Sequence, residues 1–125
     1  MERKEIDSLV NKVIGIAIEI HKSLGPGFIE SIYAKALAYE LKEADISSNR
    51  EKIITVRYKN LILGQHRLDF LVEDELILEI KAIYEITKFQ LAQVLSYLKA
   101  ADKRLAIILN FARGRLEIKR VANNF

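Results

Sequence analysis

The sequence predicts an α/β fold, a single mixed sheet with helices on its faces, on three observations. Apolar residues in the first 44 positions recur at the helical period. The middle and the end are β-branched and apolar runs bounded by turn residues. One further helical stretch, about Ile86 to Ala100, separates the third such run from the fourth. The order α, α, β, β, β, α, β, β makes the first three strands a meander and the third helix a crossover that returns the chain to the sheet.

Each element has its own signal. Ile6, Leu9, Val10, Val13, Ile14, Ala17 and Ile20 give a helix over residues 5–23, broken at Leu24-Gly25-Pro26-Gly27. A second helix, with Gly27 as its N-cap, runs to about Ala44 and is expected to bury Ile29, Ile32, Tyr33, Ala36, Leu37 and Leu41. Residues 45–49 read as a loop. Ile53–Tyr58, Leu68–Val72 and Leu76–Ile80 read as strands, with a turn at Lys59-Asn60 and a bulge or second turn at Gly64-Gln65. Leu105–Leu109 is apolar without alternation, as a strand covered on both faces requires. Ala112-Arg113-Gly114-Arg115 turns the chain into a last short strand over Leu116–Val121. No repeat or linker divides the chain, so residues 1–125 are expected to form one domain.

Composition removes several chemistries. With no cysteine, thiolate nucleophiles, disulfides and Cys-ligated metal centres are excluded. The N-terminal residues lack a signal-peptide pattern, and no apolar run approaches the ~18 residues of a membrane span, so a cytoplasmic location is expected. The net charge is only +3, but residues 101–125 hold six basic groups, Lys103, Arg104, Arg113, Arg115, Lys119 and Arg120, against two acidic ones. A basic end of this kind suits phosphates, and equally suits a plain solvated surface.

Chemistry concentrates on one sheet face. Glu79 and Lys81 lie two residues apart on a strand, so they point the same way. In an antiparallel hairpin, paired residues have a constant index sum. A three-residue turn at Glu73-Asp74-Glu75 pairs Val72 with Leu76, which sets Asp69 opposite Glu79 and Arg67 opposite Lys81. That register also puts Leu68, Phe70 and Val72 together on the other face. Opposed carboxylates with Cβ atoms ~5 Å apart repel unless a cation lies between them. Asp69, Glu79 and the Ile80 carbonyl form an oxygen-rich set suited to Mg²⁺ or Mn²⁺. Lys81 would then hold a water and offset charge on a phosphate. A surface ion pair between Glu79 and Lys81 is the competing account of the same spacing.

Weaker signals surround this set. Glu30 shares a helical face with Tyr33 and Leu37; it suits a cation, or a cap at the third position of its helix. Gln90, Gln93 and Tyr97 form a polar stripe on the third helix, able to meet a phosphate, a water or Lys81. His21 and His66 have no metal-ligand or triad spacing and are expected to be structural.

Gly27-Phe28-Ile29-Glu30-Ser31-Ile32-Tyr33 matches G-x-x-E-x-x-Y, and the chain resembles the GxxExxY protein family, a branch of the PD-(D/E)XK, restriction-endonuclease-like superfamily. The likeness extends over His21–Gly27, Arg67–Val72, Glu79-Ile80-Lys81, Gln93–Leu98 and Leu109-Asn110-Phe111. It implies an αβββαβ core, here with an extra N-terminal helix and a short C-terminal strand, and a divalent-metal phosphodiesterase site. Asp69, Glu79 and Lys81 match the motif's catalytic residues, Glu30 the helix carboxylate and Gln93 the helix glutamine. Leu68 stands where the motif has proline, and Gln90 where many members would carry histidine. The resemblance thus implies a nuclease with catalytic Asp69, Glu79, Lys81 and Gln93, and metal ligands Glu30, Asp69, Glu79 and Ile80. Tyr33, Gln90, Tyr97, Arg113, Arg115 and Lys119 would contact nucleic acid, with DNA the first expectation. A homodimer would join two weak binding surfaces. The rival is a nucleic-acid-binding or protein-interaction module that keeps the fold without turnover.

Overall fold

The computed structural model describes residues 1–125 as three helices and five strands. In chain order these are α1 (Arg3–Leu24), α2 (Glu30–Glu43), β1 (Ser48–Tyr58), β2 (Leu61–Val72), β3 (Leu76–Lys81), α3 (Lys88–Ala101), β4 (Leu105–Asn110) and β5 (Glu117–Ala122). The strands form one sheet in the order β1-β2-β3-β4-β5. β3 and β4 are parallel, joined through α3, and the other neighbours are antiparallel. The helix between parallel strands is the crossover the sequence predicts.

Two apolar clusters sandwich the sheet. On one face Ile6, Val13, Ala17, Tyr33 and Leu37 of α1 and α2 pack on Phe70, Val72, Leu78, Ile80, Ile107 and Leu109. On the other, Val94 and Leu98 of α3 pack on Leu71, Ile77, Ala106 and Ile108. Covered from both sides, every residue of β4 is buried, which explains its unbroken apolar run.

The β2–β3 register is the expected one, with Val72 opposite Leu76, Leu71 opposite Ile77 and Phe70 opposite Leu78. Pairing stops there, so Asp69 and Glu79 are not a ladder pair, nor are Arg67 and Lys81. Asp69 Oδ2 instead accepts the Ile80 N–H at 2.7 Å, a bond that backbone pairing would otherwise make. β2 turns over at this point. Leu68 packs with Leu71 and Ile77 on the α3 side, whereas Phe70 and Val72 stay with α1 and α2. Residues two apart cannot face opposite ways on a regular pleat, so the expected alternation of Leu68 with Phe70 is broken. The adjoining strand is crimped at the same level. Arg50 pairs with Phe70 and Lys52 with Leu68, while the intervening Glu51 has φ +55° and no partner in the ladder.

Three further boundaries differ from expectation. β1 begins at Ser48 rather than Ile53, taking in the end of the expected loop 45–49 because the strand is paired with β2 from Ser48 onward. β2 begins at Leu61 rather than Leu68, and the irregularity near Gly64 is a bulge. Val56 pairs with Gly64 but Arg57 with Ile62, leaving Leu63 as the extra residue. α2 begins at Glu30, with Ile29 as its N-cap, so Glu30 occupies the first helical position and not the third. The buried stripe of α2 is Tyr33, Ala34, Leu37 and Leu41, which leaves Ile29 and Ile32 exposed.

The segment that follows β3 is tied down by buried polar groups. Asn110, fully buried, accepts from Ile83 N–H at 3.0 Å and Ala112 N–H at 3.3 Å. Its amide donates to the Ile83 carbonyl and to Glu117 Oε1, each at 2.9 Å. Glu117 Oε1 also accepts from Ile86 N–H at 3.3 Å. The Phe111 N–H donates to the Lys81 carbonyl at 2.9 Å. On the other side of the sheet, Tyr33 donates its hydroxyl to the Gly25 carbonyl at 2.6 Å and accepts from Phe28 N–H at 3.2 Å. Tyr33 thereby fixes the turn whose Gly25 and Gly27 have φ of +72° and +113°, which side chains rarely tolerate.

Asn110→Ala strips partners from several buried backbone groups at once. It should cost about 2–4 kcal/mol, read as a lower urea midpoint with an unchanged slope. A loss below about 0.5 kcal/mol would mean that the 82–86 segment is held by other contacts.

Candidate active site

Asp69, Glu79 and Lys81 meet on the α3 face at the edge of the zipped β2–β3 hairpin. Glu79 is the unusual member. It is only 4% exposed, on the central strand β3, where it pairs with Ile108 of β4 and has no ladder partner on β2, and its Oε1 has no hydrogen-bond partner. Its pKa is pushed up to about 9. Burial is the largest cause, the charge and contact of Asp69 add to it, and Lys81 opposes without prevailing. A buried oxygen without a partner is costly in any fold. The competing surface ion pair is absent: six ion pairs are present, and none joins Lys81 to Glu79 or Asp69.

α3 closes over this set with Tyr97. Burial, then the charges of Glu79 and Asp69, push its phenol up to about 12. His66 stacks on the Tyr97 ring with centroids 3.6 Å apart and planes at 17°. Its pKa is lowered, first by burial, with Lys81 and Arg67 lowering it further and Asp69 working against them. His66 is therefore a neighbour of the carboxylate–lysine set, not a remote structural residue. The inversion of β2 at Asp69 is the reason, because on a regular strand His66 and Asp69 would face opposite sides. No periodicity in the sequence signals that inversion.

The remaining expected residues divide. Gln93 is half-buried on the same helical stripe as Tyr97. Gln90 is on that stripe too, but its carbonyl oxygen accepts from Thr87 N–H at 2.7 Å and from the Thr87 hydroxyl, so it serves as the capping box of α3. Glu30 makes no cap. It reaches from the opposite layer to accept the Ala82 N–H at 3.0 Å, one residue past Lys81. Tyr33 is fully buried, both sides of its hydroxyl engaged, and its ring is stacked 4.4 Å from Phe111. It supports the turn and offers no nucleic-acid surface. Arg113 and Arg115 are exposed in the loop after β4, at the same end of the sheet as Lys81, and Lys119 is exposed opposite Ile108 on β5.

The donor set suits a hard divalent cation. Asp69 and Glu79 supply carboxylate oxygens, Glu79 Oε1 lacks a partner, and Ile80 lies between Glu79 and Lys81. The expected cluster of three carboxylates does not form, since no three His, Asp or Glu side chains converge. Glu30 is separated by its commitment to Ala82. The largest concavity, about 720 Å³ between α1 and α2, lies on the other face and is lined by Lys12, Ile16, Ile20 and Ala36 among others. It shares no residue with the carboxylate set.

The Glu79 environment fixes the sign of a pH effect. The folded protein holds a proton on Glu79 up to about pH 9, whereas the unfolded chain releases it near 4.5. Between those values the native state binds more protons, so stability falls as pH rises. In metal-free buffer the melting temperature should decline across this window, and Glu79→Gln should flatten the decline. Identical pH profiles for the two proteins would show that Glu79 ionises freely in the folded state.

The PD-(D/E)XK nuclease superfamily model matches residues 7–121, a span that contains Asp69, Glu79 and Lys81, all of α2, α3 and β1 to β4, and most of α1 and β5. No curated protein is similar enough to this chain to stand as its relative. Among solved structures, the crystal structure of SSO0001 superposes with a TM-score of 0.59 at 15% identity, covering 76% of this chain and 50% of that one. At that identity the likeness shows the fold, and this chain spans about half the length of that protein. No helix here is long and apolar enough to cross a membrane. With the sheet order, the crossover and the Asp69…Glu79-x-Lys81 face agreeing with a match over nearly the whole sequence, this chain belongs to the PD-(D/E)XK nuclease superfamily.

Proposed function

We propose that the chain is a divalent-metal-dependent phosphodiester hydrolase acting on nucleic acid, DNA first. The observation that carries this reading is Glu79: buried, proton-holding and with an oxygen that no protein group satisfies, beside Asp69 and Lys81. Such an arrangement costs stability unless a ligand completes it. Asp69, Glu79 and the Ile80 carbonyl would hold Mg²⁺ or Mn²⁺, which when bound supplies a Lewis acid for a phosphate oxygen and a more acidic water. Lys81 positions the attacking water and offsets the negative charge that grows on the phosphate. Gln93 orients Lys81 or a phosphate oxygen from α3. Glu30 fixes the backbone just past Lys81 through Ala82, and its second oxygen is available to a water beyond the carboxylate pair. Water displaces the 3′ oxygen, leaving a 5′-phosphate. The turn at Gly27, the Glu30–Ala82 bond and the buried Tyr33 give each position of G-x-x-E-x-x-Y a task, which supports placing the chain in the GxxExxY branch.

The decisive experiment is a cleavage panel of single-stranded, duplex and branched DNA and RNA with Mg²⁺ or Mn²⁺. Lys81→Ala should abolish cleavage and leave metal and nucleic-acid affinity nearly intact. Equal cleavage by both proteins would remove Lys81 from the mechanism, and binding without turnover by either would favour the non-catalytic module.

Thermal melts supply a test that needs no substrate. A hundredfold excess of Mg²⁺ over its dissociation constant should stabilise the wild type by ~2.7 kcal/mol. Without metal, Glu79→Gln should be at least as stable as the wild type, and it should lose most of the metal-induced gain. A variant that is less stable without metal, together with no metal shift in either protein, would make Glu79 purely structural.

A further inference from the structure

Beside the carboxylate–lysine face stands an aromatic ring with no task in hydrolysis. Tyr84 is 83% exposed, more than any other large apolar side chain. An exposed tyrosine alone means little, because folded proteins scatter apolar surface freely. This one is mounted. The residue before it is held at both its N–H and its carbonyl by the buried Asn110, and Ile86, two residues on, is held by Glu117. The Arg113 guanidinium carbon lies 5.6 Å from the ring centroid, and the backbone of Arg113 is itself anchored where its carbonyl meets His21 Nε2 at 2.7 Å. A fixed backbone, an open ring and a cation beside it form a preorganised stacking surface, which loses little entropy when a flat ligand docks.

Its location selects the ligand. Tyr84 is the third residue after Lys81, a Cα span of at most ~11 Å, or about three stacked nucleotides at ~3.4 Å each. Both loops leave the carboxyl ends of the parallel strands β3 and β4, where ligands of open α/β sheets collect. We infer that Tyr84, backed by Arg113, stacks on an unpaired nucleobase a few nucleotides from the phosphate at Lys81, so that the site takes single-stranded or frayed nucleic acid. The inference rests on the phosphodiesterase reading and names its substrate class. Within a paired duplex base faces are covered by their neighbours, whereas an unpaired base offers one to the ring whatever its sequence.

The test compares wild type, Tyr84→Ala and Tyr84→Phe for binding in EDTA. The probes are a fluorescein-labelled 12-nucleotide deoxy strand, the ribo strand of the same sequence, and a blunt deoxy duplex. Tyr84 makes no hydrogen bond, so the substitutions should leave the fold intact. Tyr84→Ala should weaken single-strand binding roughly 5- to 150-fold, the range for loss of one stacked base, with less than about twofold change for the duplex. Tyr84→Phe should bind like wild type, since the ring face is retained. A 2-aminopurine in the strand should be quenched by wild type and not by Tyr84→Ala. The deoxy and ribo strands show which sugar the surface accepts. Unchanged single-strand affinity in Tyr84→Ala, or equal losses for strand and duplex, would overturn the stacking role while wild-type cleavage lost in Lys81→Ala would leave the hydrolase reading standing. Absence of any binding or cleavage by wild type would overturn both.

Discussion

The bond from the Ile80 N–H to Asp69 Oδ2 organises this molecule more than any other single contact. A side chain there takes the place of a strand partner, so the hairpin stops zipping at Phe70 and Leu78. Three consequences follow from that substitution. β2 inverts, which carries His66 and Leu68 to the α3 face. The Asp69 carboxylate is fixed against the backbone between Glu79 and Lys81. The adjacent Glu51 is forced to φ +55°, a conformation that a non-glycine residue adopts only when its surroundings impose it. A bulge beside a functional group is a recurrent device for re-aiming side chains, and here one carboxylate both causes the distortion and benefits from it.

The carboxyl end of β3 is then held from several directions by side chains distant in sequence. Glu30 takes the N–H of Ala82 from the α2 layer, Phe111 reaches the carbonyl of Lys81 from just past β4, and Asn110 clamps Ile83. None of these groups needs to touch a substrate to matter, since each removes a freedom from the strand that carries Glu79 and Lys81. A site has to be held to within fractions of an ångström, and buried hydrogen bonds to backbone are well suited to that task. The Gly27 turn and Tyr33 extend the same logic outward. They fix where α2 begins, and therefore where Glu30 can reach.

How much of this was legible in the sequence depends on whether the signal was periodic. The helices and most of the strands show themselves in apolar spacing, and the hairpin register follows from index arithmetic, which correctly pairs Leu71 with Ile77. The same arithmetic places Asp69, Glu79 and Lys81 on the face they occupy. It fails one residue beyond the paired segment, because alternation assumes a regular pleat and a side chain capturing an N–H leaves no trace in hydropathy. The closeness of His66 to the site is invisible in the sequence for that reason. A second blind spot is chemical: a tyrosine or glutamine on a helix looks alike in sequence whether it meets a ligand or its own backbone, as Tyr33 meets Gly25 and Phe28 and Gln90 meets Thr87. For Glu30, the cap alternative to a cation ligand depends on Gly27 as N-cap, two residues before the actual N-cap Ile29. The clamp role of Asn110 leaves no signal either, since one buried amide at the end of an apolar strand carries no period.

Charge is the last property that composition obscures. Three of the six C-terminal basic residues are spent within the fold: Lys103 on Asp74, Arg104 on Glu75 and Arg120 on Asp7. Lys103 and Arg104 precede β4, so those pairs lie at the end of the sheet away from Lys81. Arg113 and Arg115 have no acidic partner and follow β4, at the end where Lys81 and Tyr84 also emerge. The two ends of the central parallel strands thus differ, with ion-paired cations at one and the unpaired Arg113 and Arg115 at the other, alongside the carboxylates of Asp69, Glu79 and Glu30. A field of this kind acts within about a Debye length, ~8 Å at physiological salt, so the neutralised pairs beyond contribute little to what a phosphate meets at Lys81. The net charge of +3 averages over both ends and so does not describe the mixture of cations and carboxylates around Lys81.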